Sequence, residues 1–258
     1  MARLQELRRQ LLDAIIGRRP DGIVLTGILH SPEGRKRLLA SGIPVVETWD
    51  LTPTPIDMLV GFSHEKVGAQ VAYWLHRRGY RHPAIVTADD HRAGLRRKGF
   101  DARLHELGIS KVPACVVPAP STLGGGRAGL LELLSQDAKL DFIFCSSDLL
   151  AHGVVTEAQA QGIKVPDELG VLGFGNLGFA ADTHPPLSTV HVDGAAIAAM
   201  APCTDVQRVF HGRGARQPGP HHGPTSRRAR RAALRRAPVL ARTPRARARA
   251  GPPGRRAA

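Results

Sequence analysis

The sequence predicts an α/β protein built on parallel β-sheets. Short runs rich in β-branched residues alternate with amphipathic stretches of helical spacing through the first 200 residues, which is typical of successive βα units. Several predicted strands are apolar throughout, as in the run Phe142–Cys145. Strands of this kind are covered by helices on both faces, so we expect doubly wound sheets.

The predicted elements follow one another at short intervals. Strands are predicted over 21–27, 43–47, 58–62, 83–87, 114–117, 142–145, 169–174 and 188–191. The first helix covers 3–17, since its leucines and Ile15 share one face. Further helices are predicted over 32–41, 63–78, 91–107, 121–135 and 148–161, and a last one begins at Asp193.

Capping residues mark several helix boundaries. The hydroxyl of Ser63 can cap the helix that follows it. We expect that helix to end at Arg77, Arg78 and Gly79, because basic residues and glycine are favoured at a helix carboxyl terminus.

The charge of the chain is concentrated at its carboxyl-terminal end. The 258 residues carry a formal net charge of +14 at pH 7, and residues 201–258 contain 15 arginines, no lysine and one acidic residue. The first 200 residues are therefore neutral overall. The remainder, rich in Arg, Pro, Ala and Gly, buries too little apolar surface to offset the entropy of ordering. We predict that residues 201–258 form a disordered basic tail.

Two interpretations of this tail stay open. An arginine-rich arm neutralises nucleic-acid phosphates and would bind DNA weakly, without sequence preference, although Phe210 is its only aromatic residue able to stack on a base. The abrupt loss of lysine, acidic residues and apolar periodicity instead indicates a GC-rich gene translated in a shifted frame. We favour the shifted frame.

Composition excludes several classes of protein. No apolar run reaches the roughly 18–20 residues of a membrane span, and the amino-terminal segment mixes charged and apolar residues, unlike a secretory signal. Cys115, Cys145 and Cys203 are too few and too scattered for a disulfide framework. We therefore expect a cytoplasmic protein with no membrane partner.

The sequence motifs do not favour catalysis. Gly173–Gly178 matches the dinucleotide-binding pattern GxGxxG, but Pro185 and Pro186 arrive too early for the long helix that such a site needs. The clusters Asp89–His91 and Ser63–Glu65 are contiguous and suit helix starts, whereas a hydrolytic triad converges from separate segments. We therefore expect that the protein is not an enzyme and that it has no catalytic residue, no metal ligand and no cofactor.

Polar side chains follow several predicted strands at their carboxyl ends, where open α/β sheets bind ligands. Arg96 is expected in the first turn of its helix, where the helix amino terminus favours an anion; the alternative is an ordinary surface arginine. For Asp148, helix capping is favoured over ligand contact. The predicted ligand-binding residues are Thr26, Trp49, Asp50, Arg96, Ser147 and Asn176.

Short motifs along the chain resemble one protein family in the same order. They are Pro20–Leu25, Gly42–Val46, Gly79–Ile85, Arg96–Phe100, Phe144–Asp148, Val165–Leu169, Val171–Phe174 and Pro186–Val190. Over about residues 3–200, the chain resembles the effector-binding core of the LacI/GalR family of bacterial transcriptional repressors. Segments 21–27 and 144–148 are most similar to the gluconate-utilisation repressors.

The resemblance implies a periplasmic-binding-protein-like fold in which two α/β subdomains clasp a small sugar-like effector. The expected boundaries are 1–62 for a partial first subdomain, 63–190 for the second, and 191–200 for a helix returning to the first. Arg96 matches a ligand-contacting arginine of the family, and Ser147 matches a small polar residue. Gly175 stands where the family usually has a sugar-binding aspartate, which implies an acidic sugar such as gluconate.

The resemblance also carries expectations about the intact protein. The family begins with a helix-turn-helix headpiece, so we expect a truncated amino terminus and an incomplete fold of reduced stability. Operator DNA and a homodimer are expected only for the full-length parent, and operator-specific binding is not expected of this chain. A transport-type sugar-binding protein and a nucleotide-binding enzyme stay as alternatives.

Overall fold

The computed structural model describes residues 2–29, 31–136, 139–203 and 240–242, and the chain divides into two compact units. Unit 1 holds the described residues of Met1–Val71, Lys98–Phe100 and Asp193–Val239. Unit 2 holds those of Ala72–Arg97, Asp101–Val192 and Leu240–Ala258. The subdomain boundaries implied by the resemblance stay predictions.

Unit 1 is built on a three-stranded parallel sheet. The strands lie in chain order and are β1 (Ile23–Leu25), β2 (Val45–Thr48) and β3 (Met58–Val60). The helices are α1 (Ala2–Gly17), α2 (Pro32–Ser41), the first part of α3 (His64–Arg77), and α7 (Gly194–Cys203). Leu38, Val45 and Ile56 are buried together, and Leu12 and Ile16 of α1 pack against them.

Unit 2 is built on a six-stranded sheet with the order β5-β4-β6-β7-β8-β9. Five strands of this sheet are parallel. They are β4 (Pro83–Ala88), β5 (Ala114–Val117), β6 (Phe142–Cys145), β7 (Gly170–Gly175) and β8 (Ser188–His191). The short strand β9 (Leu240–Arg242) pairs with β8 in the antiparallel direction. Every residue of β4 and of β6 is buried, as their continuous apolar runs predict.

The helices of unit 2 follow the strands in the order the sequence predicts. They are the last part of α3, α4 (His91–Glu106, of which 98–100 belong to unit 1), α5 (Leu123–Ser135), α6 (Asp148–Ala160) and a short 3₁₀ helix (Gly178–Ala181).

Helices α5 and α6 touch through their backbones. A Cβ atom on Gly153 would overlap the carbonyl oxygen of Leu123, and one on Gly126 would overlap that of Leu150. Helices that pack through larger side chains stay about 8–10 Å apart. Glycine at both positions is what allows this closer approach.

The structure confirms the α/β class and the parallel sheets, and the predicted element boundaries lie within two residues of the observed ones. Helix α5 begins two residues later than predicted, because the hydroxyl of Thr122 accepts the Gly125 N–H at 2.9 Å and so caps the helix. In the GxGxxG segment, Gly178 opens a 3₁₀ helix of four residues. The expected lack of a long helix after these glycines is confirmed.

The predicted disordered tail lies mostly outside the described residues. Residues 201–203 continue α7, and Leu240–Arg242 form β9. The boundary of the tail at residue 201 stays a prediction.

Candidate ligand-binding site

The carboxyl edge of the unit 2 sheet has the topology of a binding crevice. β4 lies between β5 and β6, so the connection that leaves β4 runs to one side of the sheet and the connection that leaves β6 runs to the other. Ligands bind at such switch points. The two central strand ends are joined through Ser146. Its N–H donates to the Val86 carbonyl at 3.0 Å, and its hydroxyl accepts the Ala88 N–H at 3.0 Å.

Arg96 lies beside this switch point and is only 5% exposed. Its Nη2 donates to the carbonyl oxygen of Ser146 at 3.0 Å. Its guanidinium carbon lies 4.0 Å from the centre of the Phe174 ring, near the end of β7. Cation–π stacking and the hydrogen bond together fix the plane of the guanidinium.

The alternative of an ordinary surface arginine is excluded for Arg96, because its side chain is buried. The expected position in the first helical turn is wrong. Arg96 lies in the second turn of α4, which begins at His91 behind the N-cap Asp90. The helix amino terminus therefore favours an anion near His91 and not near Arg96.

Ser147 takes the capping role that was predicted for Asp148. Ser147 is the N-cap of α6, and its hydroxyl accepts the Leu150 N–H at 3.3 Å. Asp148 is completely buried, and its carboxylate accepts the Leu177 N–H at 2.7 Å and the Thr189 hydroxyl at 2.5 Å. Capping by Asp148 is therefore wrong, because its carboxylate turns toward β7 and β8.

Asn176 directly follows β7 and is half-buried. Its φ of +56° lies in the left-handed region, which is uncommon for a residue with a side chain. The backbone N–H donates to the Thr189 hydroxyl at 3.1 Å, and the side-chain nitrogen lies 3.0 Å from Nδ1 of His191. The amide group is thus held at the sheet edge.

Trp49 and Asp50 directly follow β2 in unit 1. Trp49 has a φ of +73°, and its N–H donates to the Val60 carbonyl at 3.0 Å. Asp50 is buried, with Oδ1 lying 3.1 Å from Nε2 of the buried His64. Thr26 follows the neighbouring strand β1 and is exposed.

A buried glutamate connects the loops that carry these unit 1 residues. Glu47 in β2 is fully buried and accepts the N–H groups of Leu29 at 3.1 Å and Ile56 at 2.8 Å. Arg35 donates to the same carboxylate at 3.3 Å, to the Leu29 carbonyl at 3.3 Å and also to the Thr54 carbonyl. The charged Arg35 and two backbone donors compensate for the burial of this carboxylate.

The predicted residues therefore form two groups, each within its own unit. Arg96, Ser147 and Asn176 lie at the carboxyl edge of the unit 2 sheet, and the others follow β1 and β2 of unit 1. Sequence reasoning missed the side chains that hold them: Glu47, His64, Phe174, Thr189 and His191. A polar residue inside an apolar strand, as at Glu47, is the one signal that could have found such a partner.

Two other kinds of feature are not formed by the described part of the chain. It contains no group of three or more His, Cys, Asp or Glu side chains that could hold a metal ion. Among the same residues, no helix is long and apolar enough to cross a membrane.

Two cysteines of unit 2 are expected to resist alkylation. Burial, assisted by a contact with Glu132, raises the pKa of the Cys115 thiol to about 12. Burial beside the Asp148 carboxylate also raises the pKa of Cys145. Because the thiolate is the nucleophile, iodoacetamide at pH 8 should modify both at least about 100-fold more slowly than in urea. Peptide mass spectrometry measures this ratio for each cysteine, and equal rates would contradict it.

Comparison with known proteins identifies the family. A family model described as a periplasmic binding protein-like domain matches residues 72–231. The solved structure of a LacI family transcriptional regulator from Silicibacter pomeroyi is 31% identical with a TM-score of 0.73, over 79% of this chain and 77% of that one. The chain belongs to the LacI family of transcriptional regulators.

Further LacI-family relatives carry one shared name. The transcription regulator GntR from Chromobacterium violaceum is 33% identical with a TM-score of 0.73, over 79% of this chain and 76% of that one. The HTH-type transcriptional regulator GntR from Escherichia coli strain K12 is 31% identical over 187 residues, which are 72% of this chain and 56% of the relative. The chain spans about half the length of the curated relatives it matches.

Proposed function

We propose that this chain is the effector-binding core of a LacI-type transcriptional regulator and that it senses a sugar acid, with gluconate as the first candidate. The observation that carries the proposal is the buried Arg96 at the switch point of the unit 2 sheet. A guanidinium held flat by Phe174 and Ser146 presents a planar donor group suited to a carboxylate or to two neighbouring hydroxyls.

Gluconate offers both kinds of acceptor. Its carboxylate matches the guanidinium of Arg96, and its hydroxyls match the polar groups of Ser147 and Asn176. Gly175, with a φ of +126°, provides no carboxylate where the family usually carries one. Removing a carboxylate from the site lowers the repulsion of an acidic effector. Within unit 1, the assignment of Thr26, Trp49 and Asp50 as ligand-binding residues stays a prediction.

The proposal extends to the whole regulator. In this proposal the whole regulator binds operator DNA, acts as a homodimer in the cytoplasm, and catalyses no reaction. An effector changes DNA binding only to the extent that it binds the two states of the regulator with different affinities.

Thermal unfolding in the presence of different sugars tests the proposal. A ligand that binds the folded chain stabilises it by about 2.7 kcal/mol at 100 times its dissociation constant. We expect gluconate to raise the melting temperature in a saturable way, and glucose at the same concentration to raise it much less. Sodium acetate controls for the added carboxylate and sodium. Equal shifts with glucose, or no shift with gluconate, would contradict a sugar-acid sensor.

A further inference from the structure

The glycine-rich turn after β7 is built around one buried carboxylate. A Cβ atom on Gly173 would overlap Oδ1 of Asp148, so only glycine leaves room for this carboxylate beside β7. Gly175 has a φ of +126°, which side chains rarely adopt. The first two glycines of the GxGxxG pattern are therefore explained by the space and the backbone turn around Asp148.

Asp148 holds this turn from two directions. Its Oδ2 accepts the Leu177 N–H at 2.7 Å. Its Oδ1 accepts the Thr189 hydroxyl at 2.5 Å, and that hydroxyl in turn accepts the Asn176 N–H at 3.1 Å. The backbone on both sides of the Asn176 side chain is thus bonded, directly or through one hydroxyl, to a single carboxylate that is completely buried.

We infer that Asp148 and Thr189 are positioning residues that set the direction of the Asn176 side chain. The left-handed backbone of Asn176 is costly by itself, and such conformations persist only where the surroundings fix them. With the backbone fixed, the side-chain amide can reach Nδ1 of His191 at the end of β8. An amide held at the sheet edge can both donate to and accept from a sugar hydroxyl. This last step rests on the proposed function.

Hydrogen exchange tests the positioning without any ligand. In the wild-type chain we expect slow exchange of the Asn176 and Leu177 amides, because both N–H groups are bonded to side-chain oxygens. Thr189→Val removes the hydroxyl and should speed exchange at Asn176 at least about tenfold, and Thr189→Ser should restore protection. Thr156→Val is the matched control, since that hydroxyl bonds only the His152 carbonyl within α6. Unchanged exchange at Asn176 in Thr189→Val would overturn the inference.

A double-mutant cycle tests whether the positioning acts on binding. We expect Thr189→Val to weaken gluconate binding about fivefold by calorimetry. In the Asn176→Ala background, Thr189→Val should change binding less than twofold. An equal loss in both backgrounds would show that Thr189 acts on the fold alone and would overturn the positioning role in binding. If gluconate does not bind the wild-type chain, the proposed function fails, while the exchange experiment still decides the positioning of Asn176.

Discussion

Gly153→Ala is expected to lower the free energy of unfolding by about 3 kcal/mol. The added methyl group would overlap the backbone carbonyl of Leu123, and a backbone atom cannot move aside as a flexible side chain can. Helices α5 and α6 must then separate, and the packing of the buried cluster that includes Leu130 and Leu150 loosens. Urea denaturation measures the loss directly.

Gly124→Ala is the matched control for this prediction. Gly124 is in α5 as well, but the atom nearest to an added Cβ is the Thr122 hydroxyl at 4.0 Å. Alanine there should leave stability unchanged or raise it by up to about 1 kcal/mol, because alanine favours a helix more than glycine does. If Gly153→Ala is as stable as Gly124→Ala, the backbone contact between the helices is not tight.

Arg96→Lys is expected to weaken gluconate binding roughly ten- to hundred-fold. Lysine keeps the charge but loses the planar group that stacks on Phe174 and can bind a carboxylate through two donors. Loss of a hydrogen bond to a charged group costs about 1.5–3 kcal/mol, which corresponds to this change in affinity. Calorimetry at pH 7 gives the dissociation constants, and unfolding curves show whether each variant remains folded.

Arg97→Lys provides the comparison on the same helix. Arg97 is more exposed and pairs with Asp101 at 3.3 Å, four residues further along α4. An ion pair of this kind contributes little, so we expect less than a twofold change in gluconate affinity. Equal losses in Arg96→Lys and Arg97→Lys would mean that charge alone, and not the placement of Arg96, governs binding.

Local signals explain why most of the fold could be predicted. The hydroxyl of Ser63 accepts the Lys66 N–H at 3.2 Å, and Asp90 accepts the Ala93 N–H at 2.9 Å. Both caps lie three residues from their partners, so the order of residue types reveals them. The apolar strands could be predicted equally well, because a strand that is buried on both faces has no alternation of polar and apolar residues in its sequence.

The side-chain contacts of the candidate site could not be predicted, because they join residues that are far apart in the sequence. Arg96 stacks on Phe174, and Asp148 bonds Thr189, so each pair forms only when a helix packs on a strand that is distant in the sequence. A capping role for Asp148 was reasonable from its place at a helix start, and the neighbouring Ser147 took that role. The position of a residue at a strand end was predictable, whereas the direction of its side chain was not.

A crystal structure of this chain grown with gluconate tests the central claim most directly. We predict that the gluconate carboxylate lies at the carboxyl edge of the unit 2 sheet, within hydrogen-bonding distance of the Arg96 guanidinium, with hydroxyls near Asn176 and Ser147. Gluconate bound with its carboxylate away from Arg96, or an empty sheet edge at a saturating concentration, would contradict the claim.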